Sequence, residues 1–330
     1  MGISREQALD CLRSDDLIGL GMEADAVRRR LHPEAVVSYA IERAVSMADG
    51  AWATGNADDA LRNRLYDEIA EAIELGCTGV RLVHGADGLG ADSKGCGIEG
   101  FEKGFRGLRQ RFPALWLEGL SAAEIGSLAA SCGLTLRETI ARLRDAGMDS
   151  IVGDSAQPLC GMAEWIEVHR AAHSLGMRTV VAMRSGARET LEQRVDLLQA
   201  VRRLQQETGG FAAFVAQSLP SRNAAGGDWN GPTAVERMKT LAIARIFLDN
   251  IENIQLSGAA QGLKVLQMGL RFGANDAGTL APQGRGAKAA SGENASAANH
   301  ASEEDLRRII RDAGFHPAQR DTSYRTMFIN

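Results

Sequence analysis

The chain has 330 residues and a mass of 35.2 kDa, with 45% hydrophobic residues, 24% charged residues and a mean hydropathy of −0.16. This composition is typical of a folded protein with a large core and excludes disorder of the whole chain. The formal net charge of −5 and the pI near 5.8 provide no basic field for a phosphate backbone, so we expect no nucleic-acid partner.

No apolar run approaches the roughly 18 residues of a membrane span, and the first residues lack the hydrophobic segment of a signal peptide. We therefore expect no membrane partner and a cytoplasmic location. The cysteines are odd in number and widely spaced, which favours reduced thiols over a disulfide framework. They are Cys11, Cys77, Cys96, Cys132 and Cys160.

Short β-rich runs alternate with longer helical stretches along most of the chain. After a helical N-terminal extension over residues 1–32, this alternation occupies residues 33–280 and is typical of βα units around a parallel sheet. About eight such units predict a single (β/α) barrel, with its site at the carboxyl ends of the strands. The predicted strands are Val36–Ile41, Gly79–Gly85, Leu115–Leu120, Ser150–Ser155, Thr179–Gly186, Gly210–Gln217, Asn253–Gly258 and a short one near Phe272–Asp276.

The region after the last predicted strand divides into two parts. Residues 281–301 contain no Leu, Ile, Val, Phe, Trp, Tyr or Met, and they predict a flexible loop because they cannot bury enough apolar area to order. Ser302 and the acidic residues after it predict the start of a final helix. We expect residues 302–330 to form a C-terminal helix and tail packed on the barrel.

The C-terminal third carries the most specific strings of the sequence. Arg245–Thr279 reads RIFLDNIENIQLSGAAQGLKVLQMGLRFGANDAGT, and Pro317–Tyr324 reads PAQRDTSY. These strings, with Leu134–Ile151 and Ala172–Met183 upstream, resemble the radical S-adenosylmethionine (SAM) enzymes of the futalosine menaquinone route. That family includes dehypoxanthine futalosine cyclase, aminofutalosine synthase and the deazaflavin-forming synthase. The resemblance implies a radical-SAM-type, TIM-like (β/α) barrel, with SAM and a 4Fe-4S cluster as the cofactors of the family.

The defining motif of that family is missing from this chain. The resemblance implies a Cys-x-x-x-Cys-x-x-Cys loop after the first strand, whose three thiolates hold the cluster. Here the corresponding loop, Ser46–Asn56, contains no cysteine, and neither Ala, Trp nor Asn can replace a thiolate ligand. We therefore expect no metal and no cofactor.

The favoured function is accordingly a cluster-less homologue of dehypoxanthine futalosine cyclase, linked to menaquinone biosynthesis. It would be a non-catalytic or repurposed barrel that binds a protein partner or a nucleoside-like small molecule. Two alternatives stay open: an enzyme of the menaquinone route that uses non-radical acid–base chemistry, and a true cyclase whose cluster ligands come from another subunit.

Carboxylates near the carboxyl ends of the predicted strands are the candidates for acid–base work, because such barrels keep their sites there. The candidate catalytic residues are Glu118, Glu124, Asp154 and Glu189. His169 and His173 have metal-ligand spacing on a predicted helix, but no third ligand accompanies them, so we expect exposed or locally hydrogen-bonded side chains.

Polar and glycine-rich turns supply the candidate ligand-binding residues. Asn275 and Asp276, together with Gln255, are expected near the mouth of the last strands, where they could bind a ribose or a carboxylate. The alternative for Asn275 and Asp276 is a structural role in closing the barrel. Gly85 and Gly88 could present backbone amides to a phosphate or carboxylate, or could belong to a flexible loop.

Overall fold

The chain was analysed as a computed structural model that describes residues 2–47, 59–83, 97–153, 161–186, 189–218, 232–282 and 302–328. Helices and strands alternate through most of these ranges. The helices are α1 Arg5–Arg13, α2 Leu17–Leu31, α3 Asp59–Glu74, α4 Ile98–Arg111, α5 Ala122–Cys132, α6 Leu136–Ala146, α7 Met162–Ser174, α8 Leu191–Thr208, α9 Ala234–Phe247, α10 Gly258–Gln261, α11 Leu263–Gly269 and α12 Glu303–Asp312. The strands are β1 Val36–Ser46, β2 Gly79–Val83, β3 Trp116–Glu118, β4 Thr179–Ser185, β5 Phe211–Ser218, β6 Asn253–Gln255, β7 Asp276–Leu280, β8 His316–Arg320 and β9 Met327–Phe328.

The strands form a curled, mostly parallel sheet with helices around it, as expected for a (β/α) barrel. Their order is β3-β2-β1-β7-β6-β5-β4, and β8 runs parallel to the first half of β1. The strand β9 is the antiparallel element, hydrogen-bonded to β8. Because β1 is 11 residues long, its beginning pairs with β8 and its end pairs with β2.

Strand alternation separates an apolar outer layer from a more polar interior. Side chains on the outer face, such as Tyr39, Leu82 and Phe214, belong to the large apolar core that packs against the surrounding helices. The residues one position away on each strand point inward, because successive side chains of a strand face opposite sides of the sheet. Several of these inward residues are charged or polar, and they build the site described below.

The fourth predicted strand, Ser150–Ser155, is not a strand within the described residues 150–153. Only Ser150 forms a bridge, to Glu118 of β3. Towards β4, the hydroxyl of Ser150 donates to the carbonyl of Arg178. This contact is a side-chain hydrogen bond and not a backbone strand pairing. Residues 154 and 155 lie outside the described ranges.

The last predicted strand, Phe272–Asp276, begins too early. Residues 270–273 instead form a turn that follows the helix α11: the backbone amide of Ala274 donates to the carbonyl of Gly269, and Gly273 has φ of +98°. This left-handed conformation is accessible to glycine at little cost and cannot belong to a strand. The strand β7 therefore starts at Asp276.

The strand β8 is absent from the sequence-based prediction, which placed a helix and a tail after residue 302. The helix α12 begins as predicted after the N-cap Ser302, whose side chain accepts from the amide of Asp305. The five residues of β8, HPAQR, contain a proline and no apolar alternation. Its position depends on partners from distant parts of the chain, which sequence periodicity cannot reveal.

The predicted N-terminal extension consists of two helices, interrupted at residues 14–16. The helix α1 is attached to α8 by ion pairs from Arg5 to Asp196 and from Arg13 to Glu192, both at 2.7 Å. Most of the predicted loop 281–301 lies outside the described residues. Within the described ranges, none of the helices combines the length and apolarity needed to span a bilayer.

Candidate functional site

Three charged side chains from adjacent strands meet inside the barrel. Glu42 lies on β1, Arg81 on β2 and Glu118 on β3. The Nε of Arg81 donates to Oε2 of Glu118 at 2.9 Å, and its Nη2 lies 3.4 Å from Oε1 of Glu42. A single guanidinium thus serves two carboxylates.

The C-terminal strand β8 brings a second arginine into the barrel. The Nε and Nη2 of Arg320 donate to the two carboxylate oxygens of Asp276, at 2.6 and 3.0 Å. The hydroxyl of Tyr324 accepts from Nη2 of Arg320 at 2.8 Å and donates to Oε1 of Gln255 at 2.9 Å. These bonds connect the C-terminal segment to β6 and β7.

A cavity of about 130 Å³ inside the barrel is bordered by residues around Arg81 and by residues around Arg320. Its charged lining residues are Glu42, Arg81, Glu118 and Arg320, and its apolar lining residues come from β4 and β5. The apolar residues are Val180 and Ala182 from β4 and Val215 from β5, and the remaining lining includes Gln217, Gln255, Ser257, Thr279, Thr322 and Tyr324. Ten of the fourteen lining residues are polar or charged, so a small molecule bound here would meet several hydrogen-bonding groups as well as an apolar surface.

Burial and neighbouring charges alter the proton affinities of the site. Burial, together with the negative charge of Glu118, raises the pKa of Glu42 to about 7, although the positive charges of Arg81 and Arg320 oppose the shift. The two carboxylates raise the pKa of Arg81 above its usual value. Arg81 is surrounded by protein yet keeps 39% of its side-chain surface accessible, because it borders the cavity. Burial also raises the pKa of Tyr324, so its hydroxyl stays protonated.

Of the candidate residues named from the sequence, the structure brings Glu118 and Gln255 together at this cavity. Asp154, Gly85 and Gly88 lie outside the described residues, as does most of the loop Ser46–Asn56.

Asn275 and Asp276 are both held by contacts within the protein, as the alternative of a structural role in closing the barrel predicts. Asp276 is the first residue of β7 and Asn275 precedes it, so both lie at the amino end of the strand, away from the mouth. The Oδ1 of Asn275 accepts from Arg245 and from the amide of Ile254, and its Nδ2 donates to Asn253. Both oxygens of Asp276 are engaged by Arg320, and the residue is 0% exposed.

Two of the candidate acids have local structural partners. Glu124 forms a capping box with Ser121 at the start of α5, in which each side chain binds the backbone amide of the other residue. The carboxylate of Glu189 accepts from the amide of Gly186 at 2.6 Å and forms an ion pair with Arg194 at 2.7 Å. These contacts stabilise the start of α5 and the turn after β4. Neither Glu124 nor Glu189 is among the residues that line the cavity.

The two histidines of α7 are locally hydrogen-bonded, as expected, although His169 is fully buried rather than exposed. The hydroxyl of Thr179 lies 2.9 Å from Nδ1 of His169 and 2.9 Å from Nε2 of His173. Nδ1 of His173 lies 2.7 Å from the hydroxyl of Thr208. Burial lowers the pKa of His169 to about 3 and that of His173 to about 4. Both rings are therefore neutral at pH 7.

Sequence analysis missed Glu42, Arg81 and Tyr324. The predicted first strand ended at residue 41, one residue before the acid. A signal was available, because two charged residues, Glu42 and Arg43, continue the β-rich run and must face opposite sides of it. In the structure Arg43 points outward and forms an ion pair with Glu71 at 2.8 Å, while Glu42 points into the barrel.

Comparison with known proteins identifies the family. Residues 209–329 match a family described as the CofH/MqnC C-terminal region. The chain is 30% identical to the cyclic dehypoxanthine futalosine synthase of Streptomyces coelicolor, over 99% of this chain and 86% of the relative. It is also 30% identical to the 5-amino-6-(D-ribitylamino)uracil–L-tyrosine 4-hydroxyphenyl transferase of Archaeoglobus fulgidus, over 95% and 96% of the two chains. The chain belongs to the radical SAM family of the futalosine pathway.

Solved structures of radical SAM proteins share the fold. The FeFe-hydrogenase maturase HydG from Carboxydothermus hydrogenoformans superposes with a TM-score of 0.68 at 16% identity, covering 98% of this chain and 78% of the maturase. Methylornithine synthase (PylB) superposes with a TM-score of 0.62 at 12% identity, covering 96% and 95%. These similarities show the barrel and its connectivity.

The three cysteines that the structure describes do not converge on a place that could hold the 4Fe-4S cluster of the family. The described thiols are spread over the fold: Cys11 lies on α1, Cys77 lies just before the amino end of β2, and Cys132 ends α5. A 4Fe-4S cluster needs about three or four thiolates at one place. Within the described ranges, His, Cys, Asp and Glu side chains form no group of three or more that could hold a metal ion. Cys96 and Cys160 lie outside those ranges.

Proposed function

We propose that this member of the radical SAM family binds a small nucleoside-like molecule in its barrel and does not perform radical chemistry. The polar cavity between β1–β3 and β4–β5 carries the proposal, since it offers charged groups and an apolar wall inside the barrel. The names of the relatives suggest the compound to test first, which is dehypoxanthine futalosine.

Two observations support the loss of radical chemistry. The loop Ser46–Asn56 contains no cysteine, and the described thiols do not converge at the carboxyl end of β1. The described part of the barrel nevertheless keeps its hydrophobic core. The buried apolar side chains of this core extend from α1 to α12. A scaffold that is preserved without the cluster ligands favours binding over radical generation.

Iron analysis after anaerobic reconstitution tests this part of the proposal. The expected result is no stoichiometric iron or sulfide in the full-length protein, with the Streptomyces coelicolor relative as the positive control. About four irons and four sulfides per chain would contradict the proposal, because they would require a complete cluster.

Calorimetric titration with dehypoxanthine futalosine tests the binding function. Ala182→Phe fills the cavity from its apolar side, and we expect it to abolish binding while circular dichroism shows an unchanged fold. Unchanged affinity in this variant would place the ligand elsewhere on the molecule.

A second candidate function, acid–base catalysis without radicals, is favoured by one observation. Burial raises the pKa of Glu42 to about 7, where a carboxylic acid can both give and take a proton near neutral pH. In that case mass spectrometry would detect conversion of dehypoxanthine futalosine without added SAM, and Glu42→Gln would abolish it. If dehypoxanthine futalosine is unchanged after long incubation, the catalytic function is refuted and only the binding function stands.

A further inference from the structure

The hydroxyl of Tyr324 determines which way round the side-chain amide of Gln255 lies. Nη2 of Arg320 is 2.8 Å from this hydroxyl, and a guanidinium nitrogen can only donate, so the hydroxyl oxygen accepts from it. The single proton of the hydroxyl is then donated to Gln255, at 2.9 Å. The atom of Gln255 that receives this proton is an acceptor. It is therefore the carbonyl oxygen Oε1, and Nε2 lies on the other side of the amide.

A buried ion pair sets the direction of this hydrogen-bond chain. Asp276 and Arg320 are both buried, and the carboxylate accepts from Nε and Nη2 of the guanidinium at 2.6 and 3.0 Å. The guanidinium stays charged and has no acceptor atom, so it cannot take a proton from Tyr324. Burial raises the pKa of Tyr324, so its hydroxyl keeps the proton that it donates. The chain of donors therefore runs in one direction, from Arg320 through Tyr324 to Gln255.

The backbone of Tyr324 is held in a costly conformation at this point. Its φ is +60°, in the left-handed region that bulky side chains rarely adopt. The guanidinium carbon of Arg320 lies 3.6 Å from the centre of the Tyr324 ring, and the hydroxyl is hydrogen-bonded on both sides. Such a conformation persists where the surroundings fix it, and here they fix the place of the hydroxyl.

The nitrogen of the Gln255 amide is left as a hydrogen-bond donor at the cavity. Gln255 lines the cavity, and within the described ranges its Nε2 has no hydrogen-bond partner. A Cβ atom at Gly278 would lie 2.9 Å from Nε2, so the glycine leaves the space beside β7 that this nitrogen needs. Ser257 and Thr279, the residue after Gly278, also line the cavity. A ligand atom that reaches Nε2 has to be an acceptor, because an amide nitrogen only donates.

We propose that Gln255 binds the ligand by donating from Nε2 to one of its oxygen atoms, and that Asp276, Arg320 and Tyr324 position this donor. This inference rests on the proposed small-molecule function of the same cavity and names the polarity of one contact. The sugar oxygens of a nucleoside-like molecule can accept such a hydrogen bond. Gln255 is then the residue that touches the ligand, and Tyr324 acts through it.

Nuclear Overhauser spectra of the ligand-free protein test the orientation of the amide. Selective ¹⁵N labelling of glutamine shows the Nε2 protons, and Gln255→Met identifies their resonance by its absence. We expect a stronger cross-peak to the α-protons of Gly278 than to the ring protons of Tyr324. The reverse order of intensities would overturn the assignment, because Nε2 would then face the Tyr324 hydroxyl.

A double-mutant cycle on the affinity for dehypoxanthine futalosine tests the roles of Gln255 and Tyr324. Gln255→Met removes the donor and should weaken binding about two- to tenfold, the range of a neutral hydrogen bond. Tyr324→Phe should also weaken binding in the unmodified protein, but it should have no effect when Gln255→Met is already present. A purely structural role of Tyr324 would weaken binding equally in both backgrounds, and that result would overturn the positioning role. Tyr66→Phe, the same change on α3 away from the cavity lining, should leave the affinity unchanged.

The variant Gln255→Glu tests the polarity of the contact. At pH 8 it replaces the donor by an acceptor, so it should weaken binding more than Gln255→Met does. Equal or tighter binding by Gln255→Glu would overturn the inference, since the ligand would then donate at this position. If Tyr324→Phe does not fold, this variant and the spectra of the unmodified protein decide the inference.

Failure of the inference differs from failure of the proposed function. Binding of dehypoxanthine futalosine that Gln255→Met leaves unchanged would keep the proposed function and overturn the role of Gln255. The absence of any binding by the unmodified protein would refute the proposed function and the donor role that rests on it.

Discussion

Replacing Asp276 by alanine should destabilise the barrel strongly. The carboxylate accepts two hydrogen bonds from Arg320, one from the hydroxyl of Ser38 at 2.5 Å and one from the amide of Gly278 at 2.8 Å. Without it, a buried guanidinium loses its counter-charge inside the barrel. Removing one partner of a buried ion pair typically costs about 3–5 kcal/mol. We therefore expect the free energy of unfolding to fall by that amount.

Comparison of the single variant with a double variant separates the unpaired charge from other effects of the substitution. In Asp276→Ala the positive charge of Arg320 stays buried, whereas in Asp276→Ala with Arg320→Met both charges are gone. We expect the second variant to recover part of the lost stability, because no unpaired charge is left. Urea unfolding followed by circular dichroism measures both values.

The opposite result would restore the interpretation of Asp276 as a ligand-binding residue. In that case Asp276→Ala would change the free energy of unfolding by less than about 1 kcal/mol, the range of ordinary surface substitutions. It would at the same time weaken binding of dehypoxanthine futalosine about ten- to a hundredfold, the loss expected for a charged hydrogen bond to a ribose hydroxyl.

Two further predictions concern stability. Burial keeps His169 and His173 neutral in the folded protein, with pKa values lowered to about 3 and about 4, so below pH 6.5 the unfolded chain binds protons that the folded one does not. The free energy of unfolding should fall as the pH drops from about 6.5 towards 4, and His169→Phe should reduce this slope in a urea titration; an equal slope in the variant would contradict the assignment. Glu124→Ala should lower the free energy of unfolding by about 0.5–2 kcal/mol through loss of the capping box. It should leave ligand affinity unchanged, and a loss of affinity at full stability would make Glu124 a site residue.

The strands that the sequence predicted well are those with local signals. β4 and β5 were predicted within one residue at each end, because each is a β-rich run that follows a helix closed by glycine. The local pattern does not predict whether a segment pairs. At Ser150 the β-rich run makes only one bridge, and β8 depends on pairing with the distant strand β1. Strand pairing is a non-local property, so whether such a segment becomes a strand depends on the neighbouring strands of the sheet.

The residues of the candidate site likewise divide into those with a local sequence signal and those without one. Glu118 could be predicted from its place at the end of a strand, since carboxyl ends of barrel strands hold such residues. Its partner Arg81 lies 37 positions earlier in the chain, and only the parallel register of β2 with β3 brings the two together. Asp276 was placed at the wrong end of its strand because the strand begins four residues later than the pattern suggests.

The sequence by itself determined the family, the barrel, and the lack of cysteines in the loop Ser46–Asn56, because these depend on residue identity and on local periodicity. Only the tertiary structure decided which charges share the interior. Glu42, Arg81 and Glu118 come from three strands, and Arg320 comes from a C-terminal segment that pairs with the first strand. Their burial, and with it the pKa of Glu42, results from contacts between residues far apart in the chain, which no local pattern encodes.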